Sequence, residues 1–303
     1  IIHASRAIKA GDGDVFIAGG VENMTRGPLV ISKPSKAFGT DSKMEDSSFG
    51  WRFVNPKMKA TFGVDPMGIT AENLVDLYNI SREDQDLFAY NSQMKATKAQ
   101  ENGVLAEEII TVSIPQRKGE PLQFTKDEFV RPSTTLETLA KLKPAFKAEG
   151  TVTAGNASGL NDGAAVTFIA SGAAVQQYNL KPIARIVSSA VVGVEPRIMG
   201  IGPVPAAEKA LAKAGLTLAD IDIIELNEAF AAQSLACTRA LGLADDDTRV
   251  NVNGGAIALG HPLGMSGTRI VHTAALSLQR TNTRYALAAM CVGVGQGYAV
   301  IIE

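Results

Sequence analysis

The segment Asn253–Gly267 (NGGAIALGHPLGMSG) constrains this chain more than any other. It sets glycines at 254, 255, 260, 264 and 267 around one of only three histidines in 303 residues. Glycine reaches backbone conformations closed to other residues and lets a second chain segment or a ligand approach the main chain. His261 lies between Gly260 and Pro262, so a stiff loop carries its ring. Ser266 reads as the N-cap of a helix over 267–279. A solitary histidine usually fills a structural place. One held in GHP within a run of glycines reads as functional.

Around this segment, strand and helix signals alternate. Short apolar runs at 14–20, 164–170, 183–192, 221–226, 285–292 and 298–302 read as strands. Helical patterns cover 1–9, 70–78, 81–100, 135–142, 205–214 and 228–241. The order argues for an α/β layered fold. The stretch 30–160 is polar and holds 16 of the 29 basic and 17 of the 31 acidic residues, so it is rich in charge without being basic. There is also a weak internal repeat. Residues 3–20 read as helix, polar turn, strand and Gly-Gly, and residues 273–293 read the same way. In the second copy the glycine-rich loop with His261 precedes the helix; the matching loop of the first copy falls before Ile1. Ile1 sits inside a helical pattern, with no initiator Met or signal-peptide pattern. The expectation is that a functional loop, and any targeting segment, lies upstream of the 303 residues.

Composition removes several classes of function. A net charge of −2 makes no electrostatic case for nucleic acid or an anionic membrane. No apolar run reaches the roughly 18 residues of a spanning helix. Two cysteines cannot frame a disulfide scaffold and point to a reducing compartment, the cytoplasm. His3, His261 and His272 show no paired ligand spacing with each other or with the cysteines, so no metal is expected.

Two further places carry chemistry. Cys291 ends an apolar strand and opens the turn CVGVGQG (291–297), where active-site residues of α/β sheets gather. The glycine spacing there suggests a nucleotide loop only superficially, because a strand follows it and not a helix. Cys237, inside a helical pattern, reads as a small buried hydrophobe. Asn227 opens NEAF between a strand and a helix. It reads equally well as a helix N-cap and as a side chain holding a water or substrate oxygen at the strand's end. A histidine, a cysteine and an asparagine at separate strand ends suit acyl or carbanion chemistry.

Together NEAFAAQ (227–233), NGGAIALGHPLGMSG (253–267), CVGVGQG (291–297), AGGVENM (18–24) and TAGNASGLNDGAA (153–165) resemble the thiolase family of acetyl-CoA C-acyltransferases. The resemblance runs over essentially the whole chain. It implies two duplicated α/β halves in five layers with an inserted loop domain. The first half would be 1–29 with 159–180, incomplete at its start, the insertion 30–158, and the second half 181–303. By resemblance, His261 activates a nucleophilic cysteine and, with a water held by Asn227, binds the thioester oxygen. Cys291 removes or returns the α-proton of acetyl-CoA, and the Gly293 N–H adds to a second oxyanion hole. Ser158 falls near the pantetheine arm of coenzyme A, Arg131 and Phe146 near its nucleotide end, and Met67 and Phe230 in the acyl pocket. Coenzyme A enters as substrate, with no resident cofactor, and a homodimer or homotetramer is implied.

Three features depart from the family pattern. Its acyl-accepting cysteine stands just before the helix that opens this chain, outside the 303 residues, so the chain as given is expected to be inactive alone. Pro66 precedes Met67 where biosynthetic acetoacetyl-CoA thiolases tend to have His. Gly293-Val294-Gly295 and Ala244-Asp-Asp-Asp247 look more like the 3-oxoadipyl-CoA and other degradative thiolases. Two readings compete with the enzyme. One is a thiolase-like binding or assembly protein that lost its nucleophile, which has little reason to keep His261, Asn227 and Cys291 together. The other is a ketoacyl synthase, against which Cys291 in its glycine turn argues.

Overall fold

The computed structural model describes residues 1–48 and 50–303. Helix α1 (Ile2–Ala10) stops at Gly11, which takes the left-handed conformation at φ 84°. Strand β1 (Val15–Glu22) follows. The chain then leaves the sheet through β2 (Leu29–Ile31), β3 (Met44–Asp46), α2 (Pro56–Phe62), α3 (Met67–Tyr78), α4 (Arg82–Glu101), β4 (Val112–Ile114), β5 (Leu122–Phe124) and α5 (Leu136–Ala140). It returns as β6 (Gly163–Ala170), which pairs antiparallel with β1 from Val15↔Ala170 to Glu22↔Gly163. Helix α6 (Gly172–Gln177) leads into the second half.

That half is β7 (Ile186–Gly193), α7 (Pro203–Ala214), β8 (Ile223–Leu226), α8 (Ala231–Ala240), α9 (Ala256–Leu259), α10 (Leu263–Thr281), β9 (Ala286–Val292) and β10 (Gln296–Ile302). Its sheet runs β7-β10-β9-β8, with β8 parallel to β9 and the other pairs antiparallel. Both faces of this sheet are buried, which is why its strands read as unbroken apolar runs. Ile224, Leu226, Leu287, Ala289 and Ile301 pack with α7 and α8. Ile223, Ala286, Val300 and Ile302 pack with Ala274, Ala275 and Leu278 of α10.

The internal repeat is visible in the topology. The order α1–β1 then β6 matches α10–β9 then β10, each ending in an antiparallel pair. In the second half, residues 293–295 turn β9 into β10. At the matching point of the first half, residues 23–162 intervene. The expected strand over 183–192 begins only at Ile186, where the register against β10 shifts between Ile301 and Ile302 and a backbone pair of Arg185 with Glu303 lies beyond the strand. Val15, Ile17 and Val21 of β1, with Val166 and Phe168 of β6, leave one face of the two-stranded sheet exposed. No helix among the described residues is long and apolar enough to cross a membrane.

Helix α10 lies against both sheets, touching β1 and β6 on one side and β8 and β9 on the other. Its first turn meets β1 backbone to backbone. A Cβ on Gly20 would run into the carbonyl oxygen of Gly264, and the Gly264 N–H donates to Glu22 Oε2 at 3.0 Å. Neither backbone can retreat without moving a packed element, so Gly20→Ala is an overpacking change. It is expected to destabilise the fold by about 1–3 kcal/mol in chemical denaturation, and an unchanged midpoint would contradict this contact.

Candidate active site

Four chain segments converge where β8 and β9 end. The first is the stretch after β8. The helix expected from Glu228 starts only at Ala231, and the cap reading of Asn227 is corrected: α8 has no side-chain cap, and its N-cap position is Phe230. Residues 227–230 stay outside the helix, where other groups hold them. Ala157 and Phe230 form an antiparallel bridge, the Ser158 N–H donates to Ala229 O at 3.0 Å, and the Ala231 N–H donates to Asn156 O at 2.9 Å. The Asn251 side chain ends β8 as a neighbouring strand would, accepting from the Leu226 N–H at 2.8 Å and donating to Leu226 O at 2.9 Å. The buried Glu228 carboxylate accepts from Ser92 Oγ at 2.6 Å, Asn251 Nδ2 at 2.8 Å and the Ile257 N–H at 3.1 Å. It thereby fixes the asparagine loop to α4 and α9. Burial pushes this carboxyl up, while the three donors favour its charged form.

The second segment is the glycine-rich loop. Gly260 has φ 99°, and a Cβ there would collide with the Asn161 side chain, whose Oδ1 accepts from the His261 N–H at 3.3 Å. Both the conformation and the close approach require glycine. Ser266 does not cap a helix. Helix α10 begins at Leu263 behind Pro262, and Ser266 is buried inside its first turns. The Ser266 hydroxyl donates to Pro262 O at 2.9 Å and stands 2.7 Å from His261 Nδ1. One hydroxyl has one proton, and the carbonyl can only accept it. With the Ser266 proton assigned to Pro262 O, His261 Nδ1 is the donor to Ser266 and Nε2 is unprotonated in the neutral ring. Nε2 lies 3.3 Å from Asn227 Nδ2, the donor that this assignment needs.

The side chain of Asn227 faces the ring and caps nothing. Its amide nitrogen meets the histidine, and its Oδ1 is buried with no hydrogen-bond partner among the described residues. Burial, with the Arg269 charge second, pushes His261 down to about 4, so the ring is neutral at pH 7.

The third segment is the end of β9. The Asn227 N–H donates to Ala289 O at 3.0 Å, and Cys291 lies two residues further along the same strand. Cys291 is buried, and burial pushes its thiol up to about 12. In the following turn, space is open where a Gly293 side chain would stand. Val294 holds φ 67°, a strained value for a β-branched residue, and Gly295 holds φ 87°. Cys237 is equally buried but lies on α8, donating to Gly200 O at 3.2 Å, and burial raises its thiol as well.

The fourth segment comes from residues 67–159. Phe146 and Phe230 meet edge to face at 6.0 Å. Gly68, beside Met67 at the start of α3, packs directly on the Phe146 ring. Ser158 abuts the extended stretch beside Phe230. Gly159 packs on Phe129, and the Arg131 guanidinium lies 5.2 Å over the Phe129 ring. The Arg131 N–H donates to Gln93 Oε1 at 2.8 Å. Phe146 and Phe230 are thus in contact, with Ser158 beside the latter's neighbour Ala229, Met67 next in sequence to Gly68, and Arg131 on the Phe129 ring that covers Gly159. Asn161, Ser92 and Asn251 support the site unannounced by the sequence reading; only the polar, small-residue stripe Gln85, Ala89, Ser92, Gln93 and Ala96 along α4 hints at Ser92.

The comparisons with known proteins give the family. Residues 1–173 match the thiolase N-terminal domain family, and residues 180–303 match the thiolase C-terminal domain family. The chain belongs to the thiolase family, the acyltransferases its motifs resemble. It is 61% identical over 303 residues to a beta-ketoadipyl-CoA thiolase of Acinetobacter baylyi, covering all of this chain and 76% of that one. It is 57% identical over 300 residues to a 3-oxoadipyl-CoA/3-oxo-5,6-dehydrosuberyl-CoA thiolase of Escherichia coli, covering 99% and 75%. The crystal structure of human mitochondrial 3-ketoacyl-CoA thiolase superposes with a TM-score of 0.91 at 44% identity, covering 100% of this chain and 75% of that one. The complex of the human enzyme with CoA gives 0.90 at 44% identity, over 99% and 73%.

Because the folded His261 titrates near 4 and an unfolded imidazole near 6.5, the unfolded chain binds the extra proton between those values. Stability from this group is intact above pH 6.5 and is lost as the pH falls toward 4, by about 3 kcal/mol in all. His261→Asn is expected to remove that component. The stability difference between wild type and variant, measured by denaturant unfolding at pH 7 and pH 4.5, should change in favour of the variant at the lower pH. A difference independent of pH would refute the buried neutral ring.

Proposed function

We propose that the protein is a thiolase that cleaves a 3-oxoacyl-CoA with coenzyme A, or runs the reverse Claisen condensation, through an acyl-cysteine. The observation that carries this reading is the buried pair in which His261 Nε2 faces the Asn227 side chain at 3.3 Å, Asn227 standing at the end of β8 beside the strand that holds Cys291. Nε2 takes the proton of the attacking thiol. Once protonated, the same atom becomes a donor toward the thioester oxygen, so base and oxyanion stabiliser share one position. Asn227 Oδ1, buried without a protein partner, is the acceptor that holds a water beside it. Cys291 rests as a thiol at neutral pH, the form that returns a proton to the acetyl-CoA enolate in the lytic direction.

Neither cysteine present fits the acyl carrier. Cys237 is closed inside α8, and Cys291 has the proton-transfer place. The reading therefore places the acyl-accepting cysteine N-terminal to Ile1. The pantetheine arm passes Ser158, with the nucleotide end toward Arg131 and the acyl group against Met67 and Phe230. The proposed substrate is 3-oxoadipyl-CoA, supported by the names of the relatives above and by the sequence 293–295. The two buried cysteines suit a reducing compartment such as the cytoplasm, and the proposed assembly is a homodimer or homotetramer.

The test is an assay of the full-length protein as its cell makes it, given 3-oxoadipyl-CoA and coenzyme A. Cleavage between C2 and C3 is expected to yield acetyl-CoA and succinyl-CoA, faster than acetoacetyl-CoA is cleaved. Cys291→Ser is expected to lower kcat by roughly 10²–10⁴-fold. No acetyl-CoA from any 3-oxoacyl-CoA would overturn the enzymatic reading, and acetoacetyl-CoA as the preferred substrate would overturn the substrate assignment.

A further inference from the structure

Gly254 and Gly255 open the glycine-rich segment, and the chemistry above uses neither. Both are dictated by close contacts. Gly254 holds φ 78°, and a Cβ there would stand 2.6 Å from Ser92 O of α4. A Cβ on Gly255 would stand 2.3 Å from Glu228 Cδ. The loop that leads to His261 is therefore pressed against α4 at one residue and against the neighbour of Asn227 at the next. Such an approach requires glycine.

Hydrogen bonds lock these segments together. Ser92 Oγ donates to Glu228 Oε2 at 2.6 Å and accepts from the Gly255 N–H at 3.1 Å. Ile257 is held through both of its backbone groups. Its N–H donates to Glu228 Oε2 at 3.1 Å, and its carbonyl accepts from Gln93 Nε2 at 3.2 Å. Asn251 Nδ2 donates to Glu228 Oε1 at 2.8 Å. The oxygen of the Gln93 amide accepts from the Arg131 N–H at 2.8 Å. Ser92, Gln93, Glu228, Asn251 and Ile257 are all 5% exposed or less. Three donors meet one carboxylate, and these contacts offer it no acceptor, so they fit its charged form. Hydrogen bonds to an ionised group are stronger than those between neutral ones.

We propose that this clamp sets the spacing of the catalytic pair, with Glu228 as its positioning residue. Glu228 follows Asn227 directly, and Ile257 stands four residues before His261. One carboxylate thus joins the two segments whose side chains meet at 3.3 Å. Ser92 and Gln93 bring the inserted segment into the same clamp. Through Gln93 it reaches the backbone of Arg131, the residue placed at the nucleotide end of coenzyme A. The proposal rests on the reading of Asn227 and His261 as a catalytic pair, and its first test needs no turnover.

That test uses the full-length protein labelled with ¹⁵N-histidine. His261 is identified among the three histidines by its loss in His261→Asn. Asn227→Ala gives the Nε2 resonance of a ring without its partner. Glu228→Gln keeps the shape but places an amide N–H₂ where donors face it, and Ser92→Ala removes one hydroxyl. Each is expected to move the His261 Nε2 resonance toward its position in Asn227→Ala. Leu211→Ala, which opens a cavity in the buried face of α7, controls for general loosening and should leave the resonance in place. In the thiolysis assay, Glu228→Gln is expected to lower kcat by about 10²-fold with the KM for coenzyme A nearly unchanged. Gln93→Leu, which also frees the Arg131 N–H, should raise that KM as well. Ser92→Ala and Glu228→Gln break one shared bond, so the double variant should lose less than the product of the two effects. A resonance unmoved in folded Glu228→Gln, or moved as far by Leu211→Ala, would overturn the proposal, as would fully multiplicative losses. Where Glu228→Gln does not fold, an unmoved resonance in Ser92→Ala overturns it. A moved resonance in a protein without thiolysis would support the clamp and count against the proposed reaction alone.

Discussion

The site depends on one hydrogen-bond chain: His261 Nδ1–H to Ser266 Oγ, and Ser266 O–H to Pro262 O. A serine bonding back to the carbonyl four residues earlier is ordinarily a minor strain on a helix. With the hydroxyl proton assigned to Pro262 O, the histidine donates from Nδ1 and its other nitrogen is bare. The remaining scaffold presents that nitrogen. Gly260 gives the loop its left-handed turn, Asn161 holds the His261 backbone, and Gly20 lets β1 close on the first turn of α10. Asn227 is held opposite because Asn251 and Glu228 occupy the hydrogen-bonding groups around it.

Burial drives the electrostatics in one direction. It lowers His261, raises Cys291 and raises Glu225, Glu228 and Asp127, favouring the neutral form of each. For the proposed reaction, a neutral imidazole and a neutral thiol are the resting state of a site that moves protons only when substrate arrives. Arg269 is the permanent charge set among these groups. The inserted segment grips the same helix, α10, further along, through Glu108 on Thr273 and Glu107 on Arg280.

Much of this was legible in the residues because chemistry and backbone demands coincide. The GHP loop needs glycine at 260, and strand ends in α/β layers gather functional groups, so His261, Cys291 and Asn227 stood out. The second-half strands were visible as apolar runs because both their faces are buried. Helix starts were misread where side chains bind something other than the backbone. Ser266 and Asn227 are ordinary cap residues by type, yet one bonds to the histidine ring from inside a helix and the other faces it from an extended loop. Ser92, Asn161 and Asn251 were silent because their partners lie 163, 100 and 25 residues away, which no local pattern encodes. Glu228 and Gln93 were silent for the same reason: a carboxylate beside a strand end or an amide on a helix announces neither its burial nor its partner.

The measurement closest to the central claim is the tautomer of His261 at pH 7, read from long-range ¹H–¹⁵N correlations in ¹⁵N-histidine-labelled protein. The account predicts a neutral ring with the proton on Nδ1 and a bare Nε2, and a loss of that fixed tautomer in Ser266→Ala. A ring protonated on Nε2, or on both nitrogens, would contradict it, because the atom assigned as base would then already hold the proton it is meant to take.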